Sequence, residues 1–371
     1  MEIINVDFDE NRYNIYIDKG IINSISKHLL EKTKSKKVII VADSFFKESI
    51  VKRVIKLLDK FEIYTHFMDA GKANKNMNEV LKIYSILEEN DLARDSTLIA
   101  IGGGVIGDLA GFVASTWYRG MNLVHIPTTL MAMIDSSVGG KVAINFRQTI
   151  NAIGNYYHPI FTLMDLELVA SLPAREYNSG IAEVIKCAII NDKAFFKILE
   201  ENSKEILERK EKEVAHFIAK TIKIKIDHVK GDIREGNRRL LLNYGHTLGH
   251  AIEISTAKNH QEFYRHGEGV SLGIMAVAYI AQKHLKLSID YYDIYKKIFQ
   301  KYHLPTALSA SEIGLSREEL IRKCMRNVQK DKKRIDNHLR VILANKIGSA
   351  SVYSNVPISL IREAFKDIIK D

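Results

Sequence analysis

The chain has 371 residues, 46% hydrophobic and 27% charged, a composition outside the disordered regime and long enough for about two domains. Its 21 glycines and 5 prolines exclude collagen and proline-rich scaffolds, and Cys187 and Cys324 are too few for a disulfide framework. The 54 Lys and Arg against 45 Asp and Glu leave +9, a balance that suits nucleic acid, a membrane surface or a small anionic substrate.

The opening MEIINVDFDENRYNIYI lacks the basic and apolar regions of a secretion signal, and no apolar run approaches the roughly 20 residues of a membrane helix, so a cytoplasmic enzyme is expected. Short β-branched runs follow at Lys37–Asp43, Ile63–Phe67, Thr97–Ile101, Leu123–Ile126 and Phe161–Asp165, alternating with amphipathic stretches such as Phe46–Phe61 and Asn78–Asn90. Continuous apolar strands separated by helices predict parallel β-α-β units, hence an α/β, Rossmann-like nucleotide-binding domain. After Leu172-Pro173 the pattern changes to long helical periods at Asp192–Val229, Gly267–Leu285 and Ile289–Tyr302. The expected division is an α/β domain over 1–172 and a mainly α-helical domain over 173–371, to which the metal candidates and most of the substrate candidates below belong.

Directly after the third run, IGGGVIGDLAG gives strand, tight turn and helix, with Gly102, Gly104 and Gly107 in G-x-G-x-x-G spacing. Glycines there let a backbone approach a pyrophosphate, whose charge the helix N-terminus favours; the acid usual for a ribose some 20 residues on is missing. The next strand ends in Thr128-Thr129, two hydroxyls suited to a cofactor amide or phosphate, and Asp135 and Gly139-Gly140-Lys141 follow. Arg119, after Trp117-Tyr118, suits aromatic stacking or an anion.

Glu183 and Lys186 are the charged residues of the apolar stretch GIAEVIKCAII, where an unpaired charge is costly, so they form an ion pair or hold an ion. Downstream, LNYGHTLGHAIE sets His246 and His250 one helical turn apart and His266 follows in RHGEG; an i, i+4 pair, a third His and a distant Glu make a plausible catalytic zinc set. Lys225, Arg239 and Asn243, with Lys141 and Arg119, supply positive and polar groups for a phosphate and a carboxylate. Much of the remaining basic excess, in Lys204–Lys230 and Lys323–Arg340, is interleaved with acidic and apolar residues as on solvated helix faces. No zinc-finger, RNP or basic-heptad pattern goes with it, so neither a nucleic-acid nor a membrane partner is expected.

Taken in order, GGGVIGDLAGF, RG…PTTL…DSSVGGK, GIAEVIK, LNYGHTLGHAIE, HGEGVSLG and KDKKR…LRVILANKIG resemble the 3-dehydroquinate synthase family of sugar-phosphate cyclases, from about Asp43 to Gly348. The resemblance implies a homodimeric NAD- and zinc-dependent lyase, with cobalt an alternative metal, acting on a sugar-acid phosphate. It implies that Glu183, His246 and His266 hold the metal. Asp43, Gly71, Lys75, Gly103, Gly104, Val105, Gly107, Asp108, Thr128, Thr129 and Lys141 would line the NAD site. Lys141, Asn151, Lys225, Arg239, Asn243 and His250 would contact substrate, with Arg119, Asp135, Lys186 and Lys332 completing the catalytic set. A third His ligand at His250 would close the position substrate needs, so His250 is assigned to proton transfer.

The chain departs from the family pattern at Lys72, where an acid is usual near the cofactor's ribose, at Ile150 for a Lys, at His158 for a Gln and at Ile233 for a second acid. These leave two choices open: NAD against NADP, and the heptulosonate phosphate against sedoheptulose 7-phosphate or glucose 6-phosphate. A related metal-dependent alcohol dehydrogenase is the other alternative.

Overall fold

The computed structural model describes residues 1–8, 11–69, 71–147, 149–258, 261–330 and 339–371. Lys332 lies outside them. The chain forms two compact units, one of Met1–Pro173 with Val214–Ile233, the other of Ala174–Glu213 with Arg234–Asp371. The helix Glu211–Val229, expected with the second domain, thus groups from Val214 onward with the first. Its buried face of Val214, Phe217, Ile218, Ile222 and Val229 carries no sequence mark of which core it joins. No helix among the described residues is long and apolar enough to cross a membrane.

The first unit is built on seven strands: β1 (Glu2–Phe8), β2 (Asn11–Asp18), β3 (Lys37–Asp43), β4 (Glu62–Met68), β5 (Thr97–Gly102), β6 (Asn122–Pro127) and, after a separate hairpin of β7 (Lys141–Phe146) and β8 (Thr149–Tyr156), β9 (Phe161–Asp165). The sheet order is β1-β2-β9-β6-β5-β3-β4, parallel except for the β1–β2 pair. β3 and β5 are apolar throughout their centres, and all three of β3, β5 and β9 are buried there, as strands covered on both faces must be; Thr162 is the polar residue inside β9. The chain reverses direction across the sheet between β3 and β5, and ligands of open α/β sheets bind outside the carboxyl ends of the strands at such a point. Those ends carry Asp43 and the glycine turn.

Two hairpins of this unit went unpredicted. β1 alternates exposed and buried residues, with Ile4, Val6 and Phe8 inward. β8 has an almost wholly exposed or half-exposed face, which leaves no apolar alternation to read. The helix Gly104–Thr116 buries Ile106, Leu109, Ala110, Phe112 and Val113 in the same core as Ile39, Leu98 and Leu123, and Gly111 lets β7 approach it, since a Cβ there would lie 2.4 Å from Val142. That contact sets the β7–β8 hairpin against the middle of this helix.

His125 sits mid-sheet on β6, 5% exposed, its ring 3.6 Å from where a side chain at Gly107 would begin. Burial pushes its pKa down to about 4 from the ordinary 6.5. A depressed histidine contributes stability that is present above pH 6.5 and lost as pH falls through 6.5 toward 4, about 3 kcal/mol in full. Urea unfolding at pH 7.5 and 4.5 should therefore show a smaller acid loss for His125→Leu than for the parent; equal losses would place the acid sensitivity elsewhere.

The second unit is mainly helical, with three helices at its centre, Ala174–Asn191, His246–Thr256 and His266–His284, flanked by a hairpin of Val341–Lys346 and Ser349–Tyr353. The mainly helical reading of this unit did not place that hairpin.

Candidate functional site

In the first unit, Gly103 caps the helix Gly104–Thr116 with no side chain bonded over its opening turn, so the first N–H groups of that helix face outward, as anion-binding helix starts do. Val105, Gly107 and Asp108 lie in its first turns. Register places Gly102 beside Pro127, and Thr128 N donates to the Gly102 carbonyl at 3.0 Å, which brings Thr128 and Thr129 next to the glycine turn. Thr128 Oγ1 is buried with no hydrogen-bond partner, whereas Thr129 Oγ1 accepts from Ala132 N at 3.1 Å. Asp43, at the end of β3, accepts from Phe45 N, and Gly71 is exposed at φ +128°.

Lys75, 5% exposed, reaches Asp108 and donates to Asn151 Oδ1 at 2.6 Å. Burial holds the Asp108 carboxyl above its ordinary range, and the Lys75 ammonium offsets only part of that rise. Asn145 ties the arrangement together: its N donates to Lys75 O at 2.8 Å, its Nδ2 to Lys72 O at 2.9 Å, and its Oδ1 accepts from Asn151 N at 3.0 Å. Asn151 is held at φ +51°, a strained conformation for a residue with a side chain, of the kind that clusters at functional sites. Lys225 forms an ion pair with Asp135, so its ammonium is fixed within the first unit.

Gly139 and Gly140 turn at φ +95° and +71° to deliver Lys141 to the exposed start of β7. The His158 departure is a packing one: its ring lies 5.2 Å from Phe8 and 5.9 Å from Tyr13, and a Cβ on Gly140 would come within 2.6 Å of it. Ile150 is 53% exposed on β8. Arg119 is exposed at φ +63° after the Trp117 turn.

In the second unit the metal candidates converge. Glu183 and Lys186 are each 3% exposed at their side chains; Lys186 Nζ donates to Glu183 Oε2, an ion pair that was one of the two alternatives open for them. The other oxygen, Oε1, is buried with no hydrogen bond and lies 3.5 Å from His246 Nε2 and 3.8 Å from His266 Nε2. Each histidine has its other nitrogen at an acceptor. His246 Nδ1 is 3.2 Å from the Tyr244 carbonyl, and His266 Nδ1 is 3.1 Å from Glu253 Oε1. Acceptors there require Nδ1–H in the neutral ring, which turns the Nε2 lone pairs toward Glu183 Oε1. An acceptor-only oxygen facing two imidazole lone pairs lacks a proton to share, and a divalent cation satisfies all three. The residues fit a metal. His250 joins the cluster, with one ring nitrogen of each of His246, His250 and His266 within 4.8 Å of the others.

Backbone contacts explain how three helices bring these groups together. A Cβ on Gly273 would lie 2.1 Å from Gly245 O, and one on Gly249 2.6 Å from Gly269 O, so His246–Thr256 and His266–His284 cross with their main chains in contact. Gly267 touches Ser179, whose Oγ accepts from Gly267 N at 3.0 Å, and Glu183 lies one turn beyond Ser179. Arg239 is 2% exposed, and Asn243 donates to Glu235. Glu235 and Glu253 escaped the sequence reading, where a single acid looks like a solvated charge.

A parallel sheet with a glycine turn and threonine pair at its switch point, and a helical unit gathering histidines round a buried carboxylate, define a two-unit enzyme scaffold shared with solved sugar-phosphate cyclases. The structure of 2-deoxy-scyllo-inosose synthase, complexed with carbaglucose-6-phosphate, NAD+ and Co2+, matches 99% of this chain and 100% of its own at TM-score 0.88 and 23% identity. The 2-epi-5-epi-valiolone synthase of Streptomyces hygroscopicus, with NAD+ and Zn2+ bound, matches 96% of each at 0.81 and 23%. The chain belongs to the 3-dehydroquinate synthase family: the family's N-terminal model matches residues 65–179 and its C-terminal model residues 180–334. The 3-dehydroquinate synthases of Nostoc sp. and Desulforamulus reducens are 35% and 36% identical to it, over 99% and 96% of this chain and 99% and 97% of theirs.

Proposed function

We propose that the chain converts 3-deoxy-D-arabino-heptulosonate 7-phosphate to 3-dehydroquinate and phosphate, with NAD regenerated each turnover and zinc, or cobalt, at Glu183, His246 and His266. The observation that carries this reading is the buried, unpartnered Glu183 Oε1 facing two oriented imidazoles. It occurs in a chain that is 35% identical, end to end, to a 3-dehydroquinate synthase. When bound, the metal supplies Lewis-acid polarisation of the substrate hydroxyl and NAD accepts and returns its hydride.

The chain's own residues do the rest. The helix start at Gly103 and Gly104, with Val105, Gly107, Thr128 and Thr129, receives the cofactor's phosphates and amide, and Asp43, Gly71, Lys75, Asp108 and Lys141 complete that site. Asn151, Lys225, Arg239, Asn243 and Arg119 supply donors for the substrate's carboxylate, hydroxyls and phosphate, and cations near the leaving phosphate offset its developing charge. Asp135 holds the Lys225 ammonium in place. His250 takes and returns protons, the role imidazoles serve in general acid–base catalysis.

The test is phosphate release by purified protein, supplied with NAD and zinc, from three sugar phosphates: the heptulosonate, sedoheptulose 7-phosphate and glucose 6-phosphate. Release from the heptulosonate alone, without lasting NADH absorbance, is expected. Release from either of the others instead would reassign the substrate, and accumulating NADH would mark a dehydrogenase.

A further inference from the structure

We infer that Glu253 is a positioning residue for the metal: it fixes the tautomer of His266 and aims its Nε2 at the site. The inference rests on the metal reading of Glu183, His246 and His266 given above. Glu253 lies on the same helix as His246 and His250, seven and three residues further on, and therefore on their face. Its side chain is 10% exposed, and Oε1 lies 3.1 Å from His266 Nδ1 on the neighbouring helix. A carboxylate only accepts, so the contact selects the Nδ1–H tautomer and leaves the Nε2 lone pair toward Glu183 Oε1, 3.8 Å away. The negative charge behind the ring also raises the basicity of the coordinating nitrogen, as carboxylates behind metal-bound histidines do.

The opposing helix is built to leave this carboxylate room. Gly269 lies three residues after His266, and a Cβ there would stand 2.6 Å from both Glu253 Cγ and Oε1 and 2.9 Å from Cδ. Those atoms end a flexible side chain, so an alanine at 269 moves the carboxylate off His266 while preserving its charge and the helix.

The experiment measures zinc affinity of the full chain by competition with a chromogenic chelator, for the parent, Glu253→Ala, Glu253→Gln, Gly269→Ala and His266→Ala. Glu253→Ala should weaken zinc about 10- to 100-fold. Glu253→Gln, which still offers an acceptor oxygen but no charge, should fall between it and the parent. Gly269→Ala should lose affinity without a lower melting temperature, which a purely structural role of Glu253 does not predict. ¹⁵N shifts of the histidine rings in apo protein should show His266 leaving the Nδ1–H tautomer in Glu253→Ala. Zinc affinity of Glu253→Ala and Gly269→Ala within threefold of the parent, with His266→Ala losing zinc, would overturn the role of Glu253 and leave the metal site standing. Unchanged affinity in His266→Ala would overturn the metal reading itself. If Glu253→Ala does not fold, the Gln and Gly269 variants decide the matter.

Discussion

His246→Ala should lose stoichiometric metal and about 10³- to 10⁴-fold in phosphate release, and keep its fold. The loss follows from removing one of two lone pairs aimed at Glu183 Oε1: Lewis-acid stabilisation of several kcal/mol goes with the metal, and each 1.36 kcal/mol is tenfold in rate. The fold survives because the buried carboxylate does not depend on His246 for its charge balance; Lys186 holds Oε2 within the same helix. Lys186→Met should do the opposite. It leaves Glu183 as a buried charge without its ammonium, a change that costs about 3–5 kcal/mol, so the apo protein should melt far below the parent and recover in part when zinc is added. Elemental analysis and melting curves of the two variants, with and without zinc, separate the roles. Metal retained by His246→Ala would remove it from the ligand set, and a Lys186→Met protein as stable as the parent without zinc would show that the ion pair does not neutralise Glu183.

Much of this was legible in the chain because the signals are local. β3 and β5 read as buried strands since each has a short, unbroken apolar run at its centre, and the glycine turn announces itself directly after β5. His246 and His250 are one helical turn apart, so their spacing needs no tertiary information. Glu183 drew notice through composition, as a charge in an apolar helix that solvent could not satisfy. What stayed hidden is what the fold alone brings together. Lys75 and Asn151 are 76 residues apart, joined because Asn145 bridges a turn and a hairpin that no periodicity marked. Glu253 carries a local mark, the i+7 position after His246, yet its partner sits on another helix, and one chain gives no means of telling a helix-face acid in water from one behind an imidazole. The sheet places Asp43, named through the family resemblance, at the end of the strand beside the one that leads into the glycine turn.

Gly267→Ala should be the most damaging single-methyl change in the second unit. An added Cβ would lie 1.8 Å from Ser179 O, 2.6 Å from its carbonyl carbon and 2.8 Å from its Oγ. Two of these atoms are main chain in the middle of a buried helix, with Gly180, Ile181 and Ala182 packed behind them, so relief requires the helices Ala174–Asn191 and His266–His284 to separate. Overpacking of this kind costs roughly 3 kcal/mol, which for a unit of this size lowers the melting temperature by about 6–12 °C. The sign is informative because helix propensity alone favours alanine over glycine by up to about 1 kcal/mol. The same movement breaks the Gly267 N to Ser179 Oγ hydrogen bond and draws Glu183, one turn further along, away from His266, so zinc should be lost along with stability. Gly269→Ala, two residues on in the same helix, supplies the contrast: the three atoms nearest its Cβ all belong to the flexible side chain of Glu253, and that variant should lose zinc affinity while melting no lower than the parent. Melting curves and zinc content of both variants test the pair. A Gly267→Ala protein that melts at the parent's temperature with its zinc in place would show that the contact with Ser179 is not what brings Glu183 to the histidines.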